Sequence, residues 1–368
     1  MKYNNDNRIV MTLDAGGTNF VFSAIQANYE VVSPITLPSN PDDLTSCLAT
    51  IVSGFTQIRK KLTGKPVAIS FAFPGPADYP SGIIGDLPNL PAFRGGVALG
   101  PMLEEKFKLP VFINNDGDLY AYGEAIAGYL PYINNLLEQA KSKKRYKNLL
   151  GITLGTGFGA GIVRDEELFI GDNSAAGEIW LLRNKLNPKT NVEGSVCIRA
   201  IRRIYAEKAG IDINNVPSPK KIYDIGTGKK TGNKEAAISA FFQMAEVAGD
   251  ALANALTLID GIAVIGGGIA GAHPLFLQAL VNEMNSMYEQ SPTVYLPRLV
   301  MKVFNLEKHN DLKMFIKGET KKITIPGTIR KISYDSMKRI GVGISKIGTS
   351  KAIEIGAYAF ALKSLDGY

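Results

Sequence analysis

Three glycine-rich stretches and one isolated carboxylate in this 368-residue chain have the composition to handle phosphate. The first, "LDAGGTN" at 13–19, sets Asp14 ahead of Gly16, Gly17, Thr18 and Asn19. Two glycines permit close backbone approach, while Thr18 and Asn19 add a hydroxyl and an amide donor, so the turn can cradle a phosphate. Asp14 cannot hold that phosphate itself, because two anions repel. It can hold a magnesium ion or its water shell beside it. The same residues also suit an ordinary Gly-Gly hairpin. The second stretch, "LGTGFGAGIV" at 154–163, presents Gly155, Thr156 and Gly157, and the third, "VIGGGIAG" at 264–271, presents Gly266, Gly267 and Gly268. Three backbone-exposing loops could converge on one nucleotide, two facing its phosphates and the triple glycine letting adenine lie against the main chain. In "FINNDGDLYAYGE" at 112–124, Asp116 follows an apolar run and precedes a glycine. A carboxylate at such a strand end can take the proton from a hydroxyl attacking a γ-phosphate. Asn115 beside it can hydrogen-bond sugar hydroxyls, and Asn-Asp-Gly is equally a turn former.

Two rival readings of the glycines fit less well. A dinucleotide-binding fingerprint needs a helix after its glycines, whereas Phe20, Val21 and Phe22 favour a strand. A Walker A loop needs GxxxxGK[ST], and "IGTGKKTG" at 225–232 has the wrong spacing and reads as a surface loop.

The elements that must position these residues alternate between strands and helices. Strand, tight turn and strand run from Arg8 to Ile25, and "PVAISFAFPG" and "PVFINND" read as further strands. A second hairpin spans "NLLGITLGTGFGAGIVRDEEL", "KEAAISAFFQMAEVAGDALANALTLI" is a long helix, and "AIEIGAYAFAL" closes the chain as another. The alternation predicts an α/β architecture. With 45% apolar and 20% charged residues, the composition is that of a soluble globular protein, and the length suggests two domains.

The net charge of +7 admits nucleic acid, acidic membranes or anionic substrates, but no nucleic-acid motif accompanies it. The densest basic run, "KSKKRYKN" at 141–148, reads as a solvated helix end or loop. No secretory h-region and no membrane-spanning apolar run is present, and the two cysteines, Cys47 and Cys197, make no disulfide framework. The expected setting is the cytoplasm, with no nucleic acid and no membrane as partner.

Taken in order, "LDAGGTN", "FPGPAD", "LPNLPAF", "INNDGDLYAYGEA", "LGTGFGAGIV", "AAGEIW" and "VIGGGIAG" resemble the ROK family, which groups bacterial sugar kinases and related repressors. The resemblance implies a two-domain, actin-like ATPase (ribonuclease H-like) α/β fold that closes over ATP and sugar in an interdomain cleft. It places a smaller domain at residues 1–117 plus 353–368 and a larger one at 118–352, with an insertion near 300–347. Asp14, Gly16, Gly17, Thr18 and Asn19 would form the first phosphate loop, Gly155, Thr156 and Gly157 the second, and Gly266, Gly267 and Gly268 the adenosine side. Gly75, Asn89, Asn115, Asp116, Glu178 and Glu193 match sugar-contact positions, with Asp116 as the base. The implied reaction is transfer of the γ-phosphate of ATP, with Mg2+, to the 6-hydroxyl of a hexose, glucose first. Alternatives are an N-acetylhexosamine or fructose kinase of the same family, or a non-catalytic sugar-binding regulator.

Departures from the family pattern bear on this. Where such kinases commonly read GEIGH and then a Cys-rich zinc loop, this chain has Trp180 and Leu181, and the loop after them has no cysteine until Cys197. Zinc needs about four N or S ligands, so no zinc site is expected, and the loop is expected to be braced by packing through Trp180. With a strand expected from about Arg8, the helix-turn-helix of the repressor branch is not expected. Family members are often dimers or tetramers, which makes a homodimer the expected assembly.

Overall fold

A computed structural model describes residues 2–87 and 90–367, and the chain in it divides into two compact units. The first unit comprises Met1–Pro131, Gly161–Gly177 and Lys346–Tyr368, the second Tyr132–Ala160 and Glu178–Ser345. Sequence reading put the boundaries after residue 117 and before 353, so the unit now gains the helix that follows Asn115.

The first unit opens with β1 (Ile9–Ala15), β2 (Asn19–Gln26), β3 (Tyr29–Glu30) and β4 (Ile35–Pro38). It continues through α1 (Leu44–Lys61), β5 (Pro66–Ala72), the small pair β6 (Ala77–Asp78) and β7 (Ile83–Ile84), α2 (Leu99–Phe107), β8 (Val111–Asn114) and α3 (Asp116–Ile126). The sheet order is β3-β2-β1-β5-β8, with β4 also paired to β2. β1 is central because Val10, Met11, Thr12 and Leu13 are buried in succession, as suits a strand covered on both faces. It pairs antiparallel with β2 and parallel with β5, which pairs parallel with β8. On one face, α1 is started by Asp43, whose side chain accepts from the amides of Thr45 and Ser46. Its buried Cys47, Ile51, Phe55 and Ile58 recur at helical spacing, and the Phe55 ring meets Phe22 at 5.2 Å and Phe71 at 5.8 Å.

The closing helix α10 (Thr349–Asp366) lies against α3 with glycines at the crossing. A Cβ on Gly123 would stand 1.8 Å from the Ala352 carbonyl oxygen, and one on Gly356 would stand 1.9 Å from that of Leu119. Backbone-to-backbone packing of this kind is why α3 belongs with the first unit.

The second unit starts within α4 (Tyr129–Gln139) and holds β9 (Leu149–Leu154) and the start of β10 (Phe158–Arg164). The rest of β10 and β11 (Glu167–Phe169) are counted with the first unit. There follow α5 (Ile198–Ala209), α6 (Pro219–Gly226), α7 (Lys234–Ile259), β12 (Ile262–Gly266) and α8 (His273–Met284). The remainder is β13 (Met287–Ser291), β14 (Val294–Pro297), β15 (Lys302–Asn305), α9 (His309–Lys317), β16 (Thr320–Thr324), β17 (Lys331–Asp335) and β18 (Arg339–Ile344). The second sheet runs β11-β10-β9-β12-β18-β15. Its β9, β12, β18 and β15 are parallel.

Residues 300–347, expected to hold an insertion, contain two strands of the second sheet and an exposed hairpin. Their β18 lies inside the sheet and β15 at its edge, with Ile340 and Val342 fully buried, and the β16–β17 hairpin stands exposed along its length. The Lys-rich hairpin between them masks the periodicity. A buried arginine at the start of β18 adds to the disguise: Arg339 donates to the Phe315 carbonyl at 2.6 Å and to Asp335 at 2.6 Å. The basic run at 141–148 is a loop, pinned by Tyr146, whose hydroxyl donates to the Arg339 carbonyl at 2.7 Å. Among the described residues no helix is long and apolar enough to cross a membrane.

Candidate active site

In the first unit, three parallel strands end level with one another. Asp14 on β1 stands opposite Ala72 on β5, and Ala72 opposite Asn114 on β8. The chain beyond those ends carries the candidate residues, at the C-terminal edge where α/β sheets hold ligands. After β1 comes the turn at Gly16, Gly17 and Thr18, and Asn19 opens β2. Ser39, just past β4, holds the turn from behind: its amide donates to the Thr18 carbonyl at 3.0 Å and its hydroxyl to the Gly17 carbonyl at 2.7 Å. With its carbonyls held back, the turn keeps Gly17, Thr18 and Asn19 exposed. A Cβ on Gly17 would touch nothing within 4 Å, whereas one on Gly16 would crowd the Asn19 carbonyl at 2.8 Å.

After β8, Asn115 caps α3, its Oδ1 accepting from the Gly117 amide at 2.7 Å. Asp116 is the exposed first residue of that helix and accepts from the same amide at 2.9 Å. A helix N-terminus favours a carboxylate there and fixes its direction. Tyr79 ties Asn115 to the Gly75 loop. Its hydroxyl donates to the Phe73 carbonyl at 3.1 Å, receives the Asn115 amide at 3.4 Å, and lies 3.0 Å from where a Cβ on Gly75 would be. From the other side Gly161 of β10 presses on the first turn of α3, since a Cβ there would come 2.4 Å from the Gly117 carbonyl. Asn89 lies outside the described residues.

The second unit repeats the device. Thr153 on β9 stands opposite Gly266 on β12, so the turn at Gly155, Thr156 and Gly157 and the triple glycine leave neighbouring strand ends. Gly267 has φ +86°, and a Cβ on it would meet the Leu154 carbonyl at 2.3 Å, so a glycine is required. The Leu154 carbonyl accepts from the Ile269 amide at 3.0 Å. Gly268 is open, and beside it a pocket is lined by Lys220 and Tyr223 of α6, Phe241 of α7, and Ile269 and Ala272. Lys220 and Lys229 sit 5.3 and 5.4 Å from the Tyr223 ring centre.

The two glutamates part company. Glu193 lies on a 3-10 turn (Val192–Gly194) and accepts from the Phe158 amide at 3.1 Å, directly behind the second glycine turn. Glu178 is exposed and accepts from the Trp180 indole; no contact among the described residues joins it to the glycine turns. Trp180 is half-buried.

Asp14 is fit to serve a hard cation: a carboxylate at a strand end, beside a turn whose open side leaves room for phosphate oxygens. Its surroundings set a pH dependence. Glu354 of α10 is mostly buried near Glu30 and Asp14, and burial first, then those two charges, push its carboxyl up to about 7 from 4.5, against the opposing pull of Lys351. A carboxyl raised on folding contributes stability below its unfolded value that is lost as pH climbs through the folded one. Glu354→Gln should therefore match the parent near pH 4 and exceed it at pH 8, by at most ~3 kcal/mol. Thermal unfolding at the two pH values checks this; equal gains at both would refute it.

Sequence reading missed Tyr79, Ser39 and the Lys220–Tyr223 pocket. Tyr79 lies within reach of the "FPGPAD" motif, but nothing in the sequence links Ser39 to the first turn or α6 to the third.

Comparison with known proteins agrees with the geometry. The model of the ROK family matches residues 10–308. A glucokinase from Parabacteroides distasonis, of known crystal structure, is 56% identical with a TM-score of 0.88, covering 99% of both chains. The N-acetyl-D-glucosamine kinase of Vibrio cholerae is 28% identical over 270 residues, 70% of this chain and 83% of that protein. A ROK family glucokinase from Streptomyces griseus, solved with glucose and AMPPNP, shares the fold with a TM-score of 0.59 at 16% identity, covering 95% and 98% of the two chains. With glycine turns at matching strand ends in both sheets and a family match across most of its length, this α/β chain of actin-like ATPase fold belongs to the ROK family.

Proposed function

We propose that the protein transfers the γ-phosphoryl group of ATP to the 6-hydroxyl of a hexose, with glucose the preferred acceptor. The observation that carries the reading is the paired arrangement of glycine turns, each beyond the ends of parallel strands, together with an exposed carboxylate at the helix start beside the first of them. The 56% identity to the Parabacteroides distasonis glucokinase supports glucose within that reading.

In this scheme Asp116 accepts the proton of the 6-hydroxyl as it attacks, and Asn115, Gly75, Asn89, Glu178 and Glu193 hold the sugar. The amides and Thr18 hydroxyl of the first turn, with Gly155, Thr156 and Gly157 of the second, receive the phosphates. Gly266, Gly267 and Gly268 and the Tyr223 pocket take the adenosine. Phosphoryl transfer draws its acceleration mainly from positioning and charge stabilisation, which preorganised amides supply. Asp14 would hold a Mg2+ ion or its water shell, and that ion would neutralise phosphate charge when bound.

A coupled assay of ADP release over glucose, fructose, N-acetylglucosamine and N-acetylmannosamine tests the proposal. Glucose should give the highest kcat/KM. A preference for an N-acetylated sugar, as the Vibrio cholerae relative's name would suggest, would move the substrate while keeping the chemistry. Sugar binding without ADP release from any of them would make the protein a regulator.

A further inference from the structure

We infer that Glu193 is a positioning residue for the second glycine turn, setting the shape in which that turn meets ATP; this rests on the kinase reading and deepens it. The turn is tied to the segment behind it at both ends. On one side the Ile198 amide, the first of α5, donates to the Gly155 carbonyl at 2.9 Å. On the other the Phe158 amide donates to Glu193 Oε2 at 3.1 Å. Between them Gly157 is shaped around the carboxylate, since a Cβ there would stand 2.7 Å from the same Oε2. The turn closes on itself through the Gly155 amide and Gly157 carbonyl at 3.0 Å.

The platform under Glu193 is firm. Val192 is buried, its amide donates to the Leu182 carbonyl at 2.9 Å, and the Asn184 amide group donates to the Asn191 carbonyl at 3.1 Å and to Ser195 at 2.8 Å. Arg199 donates to the other oxygen, Oε1, at 3.3 Å. An acid so close to a triphosphate would repel it if it faced the ligand. Here its two oxygens are engaged by the Phe158 amide and by Arg199, which on this inference leaves the amides of Thr156 and Gly157 to the anion. Preorganised amides of this kind cost no reorganisation when charge arrives. A carboxylate offers about four lone-pair sites, so these two partners leave capacity for a sugar hydroxyl as well.

The test uses the full chain with Glu193→Ala, Glu193→Asp and Glu193→Gln. Binding of AMPPNP without sugar is read by calorimetry, glucose binding without nucleotide likewise, and KM for ATP and glucose in the ADP-release assay. Loss of a hydrogen bond to a charged group should weaken AMPPNP binding and raise the KM for ATP by about tenfold or more in E193A. E193D, one methylene shorter, should share the defect, and E193Q, whose amide oxygen still accepts from Phe158, should recover most of it. AMPPNP affinity unchanged in E193A and E193D, with glucose affinity alone reduced, would overturn the inference, as would E193Q failing like E193A. If E193A does not fold, E193D against E193Q gives the same comparison. The kinase reading fails separately, by wild-type protein that binds AMPPNP yet releases no ADP with any hexose.

Discussion

Asp116→Asn should bind hexose as the parent does and turn it over about 10²- to 10⁴-fold more slowly, the span that general-base catalysis contributes. The amide is nearly isosteric with the carboxylate and keeps a hydrogen-bond acceptor for the sugar hydroxyl, so affinity survives. It cannot take up the proton, so transfer suffers. The local structure makes this a clean substitution. Asp116 is exposed, so no core packing is lost, and the α3 cap is made by Asn115, which remains. Its contact with the Gly117 amide is one that Asn115 also serves. Calorimetry for glucose and the ADP-release assay for kcat are the measurements. Turnover within a few-fold of the parent would remove Asp116 from the role of base.

What the sequence reveals here follows from how local each signal is. Strand-turn-strand around Gly16 and Gly17, and again around Gly155 to Gly157, is written in contiguous residues: β-branched and aromatic runs broken by glycines. The same holds for Asp116, whose neighbours on both sides report a strand ending and a helix beginning. Glu178 and Glu193 are legible only as motif matches, because their surroundings are loops whose course no periodicity sets. The structure accordingly finds Glu193 bonded to the Phe158 amide and Glu178 bonded to Trp180, a difference no spacing rule would reveal.

The rest was hidden for two physical reasons. Some partners are distant in sequence: Tyr223 joins the triple glycine only because α6 packs there, and Ser39 holds the Gly17 carbonyl from the end of β4, the strand paired with β2. Elsewhere a true core element is short and flanked by charge. β18 has six residues, begins with a buried arginine and follows a hairpin of exposed lysines, so its buried Ile340 and Val342 make too short a pattern to stand out. The sheet strands within 300–347 were hidden in that second way.

The crossing of α3 and α10 predicts the largest loss of stability from a single methyl group. Gly123→Ala would place a carbon 1.8 Å from the Ala352 carbonyl oxygen and 2.6 Å from its carbon. Both obstacles are backbone, so no side-chain rotation relieves them and the helices must separate. Overpacking of cores commonly costs about 1–3 kcal/mol and occasionally more; with backbone on both sides the cost should reach or pass the top of that range. Gly356→Ala, blocked by the Leu119 carbonyl at 1.9 Å, should behave alike, and because both substitutions widen the same crossing their effects should fall short of additive. Gly17→Ala, where the new carbon meets nothing within 4 Å, is the control and should leave unfolding unchanged. Urea or thermal denaturation of the parent, the two single variants, their combination and the control decides it: a Gly123→Ala chain as stable as the control would mean that α3 and α10 do not touch through their backbones. The consequence reaches the chemistry, since α3 carries Asn115 and Asp116 at its start, and helices forced apart at Gly123 shift the carboxylate that this reading makes the base. Residual folded Gly123→Ala protein should therefore also lose turnover, while AMPPNP binding at the second glycine turn persists.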